Sequence, residues 1–299
     1  MSGEAAFIAA LRDLAIHPAA RSLTDDCAVL DVGSETLILT HDMMVEGVHW
    51  LPGQDPADVA WKLVATNLSD LAAKGAEPLG VLLGYSLGGD DLRFVDGLRE
   101  VLEAFAVPLL GGDTVGGGAV QAHGLTALGR ATCRPVPSRG GAKVGDGVWL
   151  TGTLGGAMVG FDALRCGLDD QEHARAFARP VPLLDEGRAL APLVTAMMDV
   201  SDGLLLDASR IAQASGVTLA LDLAAIPLAP GVVASGRGDE ALRWGDDYQL
   251  LFTLPAGVEP PIAASRIGQV VPAGRFAILL DGIPPDPSQP LGYLHGSSR

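Results

Sequence analysis

Residues 132–147, TCRPVPSRGGAKVGDG, pack two prolines and four glycines between segments of regular apolar periodicity. A stretch of that composition continues neither helix nor strand, so it divides the chain into two units. The first unit is read as residues 1–135 and the second as 136–299. With 299 residues, 48% of them apolar, there is material for a core in each half.

Both halves mix strand and helix patterns. In the first, Ala28 to Asp42 reads as two short strands around a Gly33–Ser34 turn, which delivers Asp42 to a strand end. Residues 56–74 carry Val59, Leu63, Leu68, Leu71 and Ala72 at helical spacing, with Pro56 at the start and Gly75 just past the end. A strand near 79–87, a helix near 91–105, a short strand ending at Gly111 and an alternating run from Val120 to Arg130 follow. In the second half the pattern predicts a strand at 148–151, helices at 155–166 and 184–197, a strand at 198–200, and later strands at 249–254 and 276–280. Prolines at 284, 285, 287 and 290 make the tail extended. This order predicts an α+β (mixed α/β) fold of two units rather than a simple doubly wound sheet.

Charge narrows the function. Lys plus Arg number 20 against 36 Asp plus Glu, a formal net charge of −16, which argues against nucleic acid as a partner. The longest apolar stretch, 217–235, is interrupted by Asp222, Pro227 and Pro230, so no membrane segment is expected. The first twenty residues lack a basic start followed by an apolar block, and a cytoplasmic location is expected. Cys27, Cys133 and Cys166 are odd in number and dispersed, which fits reduced thiols acting as small core fillers.

The chemistry concentrates in aspartates at turns and element ends: Asp25 and Asp26, Asp42, Asp70, Asp113, Asp199 and Asp202. Two unit charges about 4 Å apart interact by roughly 4 kcal/mol at an effective dielectric near 20, so converging carboxylates call for cations or raised pKa values. Oxygen ligands of this kind suit Mg²⁺ shared with nucleotide phosphates. Taken singly, each aspartate reads equally well as a cap or turn residue, Asp202 before a helix near Gly203 above all. Gly111-Gly112-Asp113-Thr114 and Gly116 to Gly118 offer backbone amides to a phosphate or form a plain turn. The Walker pattern is absent from the chain, and only Lys62, Lys74 and Lys143 are lysines. Arg139, in the connector, is the more plausible cationic phosphate contact.

A rival motif is Gly84-Tyr85-Ser86-Leu87-Gly88, which fits the G-x-S-x-G elbow of α/β-hydrolases, with His123, His173 and His295 downstream as bases. The elbow needs a helix directly after the serine, and Gly88-Gly89-Asp90-Asp91 delays it. A shorter echo, Asn67-Leu68-Ser69-Asp70 against Asp199-Val200-Ser201-Asp202, hints at paired units.

At these motifs the sequence resembles the thiamine-monophosphate kinase family, whose superfamily also holds aminoimidazole ribonucleotide synthetase and selenophosphate synthetase. The carriers are Asp25-Asp26-Cys27-Ala28, the segment from Thr40 to His49, Asn67 to Ala72, Gly111 to Thr114, Asp199 to Leu204, and Gly245 to Phe252. The resemblance implies an N-terminal domain that forms a homodimer, a C-terminal domain closing the cleft, and ATP-dependent conversion of thiamine monophosphate to thiamine diphosphate. It implies several Mg²⁺ ions held by Asp26, Thr40, Asp42, Asp70, Asp113, Asp199 and Asp202. ATP would meet Asp26, Gly112, Asp113, Arg139 and Ser201, and the substrate would meet His49, Asp246 and, near the C-terminus, Tyr293. Transfer is expected to be direct and in line, with no protein nucleophile. Thr24 stands where the family usually has glycine, His41 where it has a small hydroxyl residue, and Asp246 where it has Glu. The alternatives are a superfamily member that activates another small molecule with ATP, a nucleotide-binding module without turnover, and a serine hydrolase built on Ser86.

Overall fold

A computed structural model describes residues 3–168 and 171–294. The chain begins with α1 (Gly3–Arg12) and a 3₁₀ segment (Pro18–Leu23), then turns at Gly33–Ser34 between β1 (Ala28–Val32) and β2 (Glu35–Val45). Next come α2 (Pro56–Ala73), β3 (Ala76–Leu87), α3 (Asp91–Ala104), β4 (Leu109–Gly116) and β5 (Ala122–Ala131). These strands form one sheet in the order β1-β2-β5-β3-β4, in which only β3 and β4 run parallel.

The second half supplies β6 (Gly147–Leu150), α4 (Gly156–Arg165), α5 (Gln171–Ala178), α6 (Leu184–Leu190), β7 (Ala196–Asp199) and α7 (Leu204–Ser215). It continues with β8 (Thr218–Leu221), α8 (Pro230–Ser235), α9 (Gly238–Trp244), β9 (Leu250–Leu254), β10 (Ser265–Val271) and β11 (Ile278–Leu280). Its sheet has the order β11-β8-β10-β6-β9-β7 and is antiparallel except for β11 beside β8. Two mixed sheets with helices packed on them make the fold α+β.

Helix α2 explains how the halves join. Asp55 caps it by accepting from the Ala57 amide at 3.0 Å, Pro56 fills the first turn, and the chain leaves at Gly75. Fifteen of its eighteen residues are buried, because it lies between the first sheet and the α6–β7 region of the second half. Leu63, Leu68 and Leu71 share one core with Leu184, Leu190 and Met197, and with Leu250, Phe252 and Leu254 of β9. Leu251 points the other way, into a second core with Val148, Met198 and Ile211. The strand period of two thus sends neighbouring residues of one apolar strand to two different cores.

Five local expectations change. Helix α6 stops at Leu190 rather than running to 197, since Pro192 cannot continue it, and β7 begins two residues early, at Ala196. Strand β2 runs three residues past Asp42, placing that carboxylate within the strand. Strand β4 continues through Gly111-Gly112-Asp113-Thr114, so this segment is strand and not a phosphate loop. A Cβ on Gly112 would lie 2.0 Å from the Leu83 carbonyl oxygen, which is why glycine lets β4 approach β3 there. Of the three cysteines only Cys27 is buried; Cys166 is exposed and is no core filler. Among the described residues no helix is long and apolar enough to cross a membrane.

Candidate active site

Lys62, Thr66, Asp70 and Lys74 recur every four residues, and on a helix that spacing makes one stripe about 18 Å long. All four are buried. Thr66 and Asp70 line a cleft of about 490 Å³ between the halves, and the two lysines anchor its ends.

At the Lys74 end the ammonium reaches Asp25 at 2.5 Å and Asp26 at 3.0 Å. Arg21 pairs with Asp25, and Arg139 from the connector pairs with Asp26. Burial alone would raise the Asp26 pKa, but Lys74 and Arg139 outweigh it and hold that carboxyl well below the ordinary range. Burial would likewise depress Lys74, yet Asp26 and Asp25 lift its pKa above the usual lysine value.

The middle of the stripe carries uncompensated charge. Thr40 of β2 donates its hydroxyl to Asp70, Ser69 donates to Asp199 of β7 at 2.6 Å, and the Asp42 amide donates to Asn67 at 3.1 Å. Burial and then Asp42, Asp199 and Asp26 push the Asp70 pKa well above the carboxylate range. Burial and then Asp26 push Asp199 up to about 7. Asp26, Asp70 and Asp199 each offer one oxygen, and these atoms lie within 4.8 Å of one another. Ser69 reaches Asp199 Oδ2, while Asp199 Oδ1 is buried with no hydrogen-bond partner. An all-oxygen donor set holding an unsatisfied carboxylate oxygen fits a hard divalent cation.

At the Lys62 end, Asp246 accepts from Lys62 at 3.1 Å and from the Tyr248 hydroxyl at 3.1 Å. His49 lines the cleft, and its Nδ1 accepts from the Val45 amide at 3.0 Å. Tyr293 and Ser201 also line the cleft; the Tyr293 amide donates to the Asp202 carbonyl at 2.9 Å. Asp202 caps nothing. Its carboxylate pairs with Arg210 at 2.7 Å, while Asp207 accepts from the Ser201 and Asp202 amides, each at 3.1 Å.

The structure therefore gathers Asp26, Thr40, Asp42, Asp70, Arg139, Asp199, Ser201, Asp202, His49, Asp246 and Tyr293 around one cleft. Gly112 and Asp113 are not brought there. The pairing Met43–Gly124–Gly84–Asp113 sets Asp113 three strands from β2, about 14 Å away. Asp113 shares the register of Met43, whose side chain stands on the sheet face opposite Asp42.

Comparison with known proteins decides the family. AIR synthase related protein, N-terminal domain, matches residues 24–131, and AIR synthase related protein, C-terminal domain, matches residues 143–281. The thiamine-monophosphate kinase of Escherichia coli K12 is 38% identical over 249 residues, covering 77% of this chain and 75% of that protein. That of Caulobacter vibrioides is 37% identical over 305 residues, covering 93% and 86%. The chain belongs to the thiamine-monophosphate kinase family. As a member it is a thiamine-phosphate kinase, an ATP-dependent phosphotransferase. The solved structure of AaThiL complexed with AMPPCP and TMP superposes with a TM-score of 0.87 at 28% identity, covering 95% of each chain. The thiamine monophosphate kinase of Aquifex aeolicus gives a TM-score of 0.79 at 29% identity over 88% of this chain and 93% of that one.

Within this thiamine-monophosphate kinase fold, Ser86 is not an elbow. It lies inside β3, its hydroxyl donates to the Ala122 carbonyl at 2.9 Å, and the His123 ring accepts the Ser86 amide rather than its hydroxyl. His123 is stacked between Tyr85 and Trp50, and burial lowers its pKa to about 4. His295 lies outside the described residues. Sequence reasoning missed Lys62, Lys74, Ser69, Asp207, Arg210 and Tyr248. The four-residue spacing of Lys62, Thr66, Asp70 and Lys74 was the available signal, since a polar stripe inside an otherwise apolar helix has to face something polar.

Proposed function

We propose that this member of the thiamine-monophosphate kinase family moves the γ-phosphoryl group of ATP directly onto the phosphate of thiamine monophosphate, giving thiamine diphosphate and ADP. The observation that carries the reading is the convergence of Asp26, Asp70 and Asp199 from three separate elements, with an unsatisfied oxygen on Asp199. Asp26, Thr40, Asp42, Asp70, Asp199 and Asp202 would hold several Mg²⁺ ions. Bound there, Mg²⁺ would neutralise both the carboxylates and the phosphates. Arg139 and Ser201 would meet ATP, and His49, Asp246 and Tyr293 the thiamine monophosphate. The acceptor is already a phosphate, so these residues need only orient two anions and exclude water, and in-line transfer without a phosphoenzyme follows.

We also infer a homodimer. The face of the first sheet away from α2 exposes Met43, Leu82, Leu110 and Val115, each between 41% and 57% accessible. All eight residues of β4 are exposed as well, an edge that a second copy would cover. Joined this way, the Gly112–Asp113 segment of one chain would serve the cleft of the other, which accounts for its distance from Asp42 within one chain. Residues 1–135 would then be the metal-binding, nucleotide-binding and dimerising domain, and 136–299 the domain that closes the cleft. The free thiols fit a cytoplasmic setting.

Incubation with ATP, Mg²⁺ and thiamine monophosphate should yield thiamine diphosphate and ADP in equal amounts. ADP release indifferent to thiamine monophosphate would favour another substrate; ATP binding with no turnover would leave a binding module. Chiral γ-phosphate should invert, because retention requires a phosphoenzyme. Light scattering should give twice the 30.7 kDa chain mass.

A further inference from the structure

Lys62 is 1% exposed, and a lysine so buried needs its charge matched. Its Nζ lies 3.1 Å from Asp246 Oδ2, 3.1 Å from the His49 carbonyl oxygen and 3.5 Å from the centre of the Phe177 ring. These partners come from three places. His49 sits in the β2–α2 loop of the first half, Asp246 in the α9–β9 loop of the second, and Phe177 on α5. One ammonium of α2 therefore spans the junction of the halves, and two of its partners, His49 and Asp246, line the cleft.

The α9–β9 loop needs such a tether. Asp246 has φ 59° and Tyr248 has φ 49°, in the left-handed region that side chains other than glycine adopt at a cost. Three backbone bonds restrain the loop, from the Asp246 amide to the Ser201 carbonyl at 2.8 Å, from the Tyr248 amide to the Val200 carbonyl at 2.9 Å and from the Val200 amide to the Gln249 carbonyl at 2.8 Å. None of them aims the Asp246 carboxylate. That direction comes from Lys62 on Oδ2 and the Tyr248 hydroxyl on Oδ1. Because Lys62 also holds the His49 carbonyl, one ammonium bears on both the His49 loop and the Asp246 carboxylate.

We propose that Lys62 is a positioning residue for the substrate end of the cleft: its ammonium ties Asp246 of one half to the His49 loop of the other and so fixes the two groups that would recognise thiamine monophosphate. The inference rests on the reading above that His49 and Asp246 meet that substrate. It assigns Lys62 no contact with ATP or with the transferred phosphoryl group. A substitution here should therefore separate the two substrates kinetically, which a general loss of packing would not do.

The test compares the unsubstituted enzyme with Lys62→Met, Asp246→Asn and the double variant, reading both Michaelis constants and kcat. Lys62→Met keeps the stem and removes the charge. It should raise KM for thiamine monophosphate about 30-fold or more while leaving KM for ATP within about threefold. In the double variant the losses should fall well short of multiplying, because each substitution breaks the same pair. Equal shifts in both KM values, no shift in either, or fully multiplicative losses would overturn the proposal. Should Lys62→Met fail to fold, Lys62→Arg keeps a cation but displaces it, and must still raise KM for thiamine monophosphate alone; unchanged selectivity there overturns the proposal too. If the unsubstituted enzyme shows no turnover with thiamine monophosphate, the functional reading itself falls and takes the inference with it. Turnover in that enzyme with no selective effect at Lys62 removes the inference only.

Discussion

The two ends of the α2 stripe use the same residue type for opposite purposes. Lys74 meets Asp25 and Asp26, both also paired with arginine, yet Asp42, Asp70 and Asp199 remain close by, and burial together with carboxylate repulsion drives up the pKa values of Asp70 and Asp199. Lys62 meets one carboxylate, one carbonyl and one ring face. The Lys74 side of the cleft is thus short of positive charge even with its lysine in place, whereas at the other end the Lys62 ammonium sits directly on the Asp246 carboxylate. A buried network left with excess charge marks where a cation is required for function; a matched pair marks where geometry is being held.

The comparison is broken most directly at Lys74. Lys74→Met leaves Asp25 and Asp26 buried against two arginines and should destabilise the metal-free protein by about 3–5 kcal/mol, measured by urea unfolding. A loss below about 1 kcal/mol would mean the arginines suffice and the two ends do not differ as described. Asp70→Asn tests the opposite sign. It should lower kcat/KM for ATP about 10²–10³-fold, but the neutral amide also removes repulsion among Asp42, Asp70 and Asp199, so metal-free stability should hold or rise. A marked loss of stability would assign Asp70 to the fold rather than to the chemistry.

Much of the cleft was legible because its residues sit in contiguous motifs. Asp25-Asp26, Asp199 to Asp202 and Asp246 each fall beside the end of a helix or strand, and Asn67 to Asp70 lie within α2, whose bounds periodicity located within a few residues. What escaped depends on non-local order. Asp113 looks like a partner of Asp42 until β5 is seen to insert between β2 and β3, a fact of sheet order that sequence order does not contain. Ser86 carries a turn-like signature, but β3 pairs through Leu87 and suppresses the turn. The buried lysines have no solvent face to reveal them in a helix covered on nearly all sides, so only their four-residue spacing with Thr66 and Asp70 marks the stripe.

A weaker effect sharpens the charge argument. Asp199 has its folded-state pKa raised from 3.8 to about 7, chiefly by burial. Its contribution to stability is present below the unfolded value and is lost as pH rises through about 7. Acidifying the metal-free protein from about pH 8 to about pH 6 should therefore stabilise it by about 1 kcal/mol per such group. Asp207 and Asp247, also raised to about 7 by burial, act in the same direction. His123, lowered from 6.5 to about 4, acts in the opposite direction, chiefly below its unfolded value. Asp199→Asn should remove one share of the gain, and so should saturating Mg²⁺. A pH response unaltered by either would separate Asp199 from the proposed metal site.

The smallest effect lies in the C-terminal segment. Tyr293 lines the cleft beside Asp202, on a segment with no regular secondary structure, tied to the body by the bond from its amide to the Asp202 carbonyl. Tyr293→Ala keeps that backbone bond and removes only the ring. If the ring stacks on an aromatic substrate, the loss is worth about 0.5–1.5 kcal/mol, or roughly three- to tenfold in KM for thiamine monophosphate. KM for ATP and thermal stability should stay close to those of the unsubstituted enzyme. A change in ATP affinity instead would place the ring at the metal-binding end, and the division of the cleft into a charge-poor and a geometry-holding end would have to be redrawn around Asp202 and Arg210.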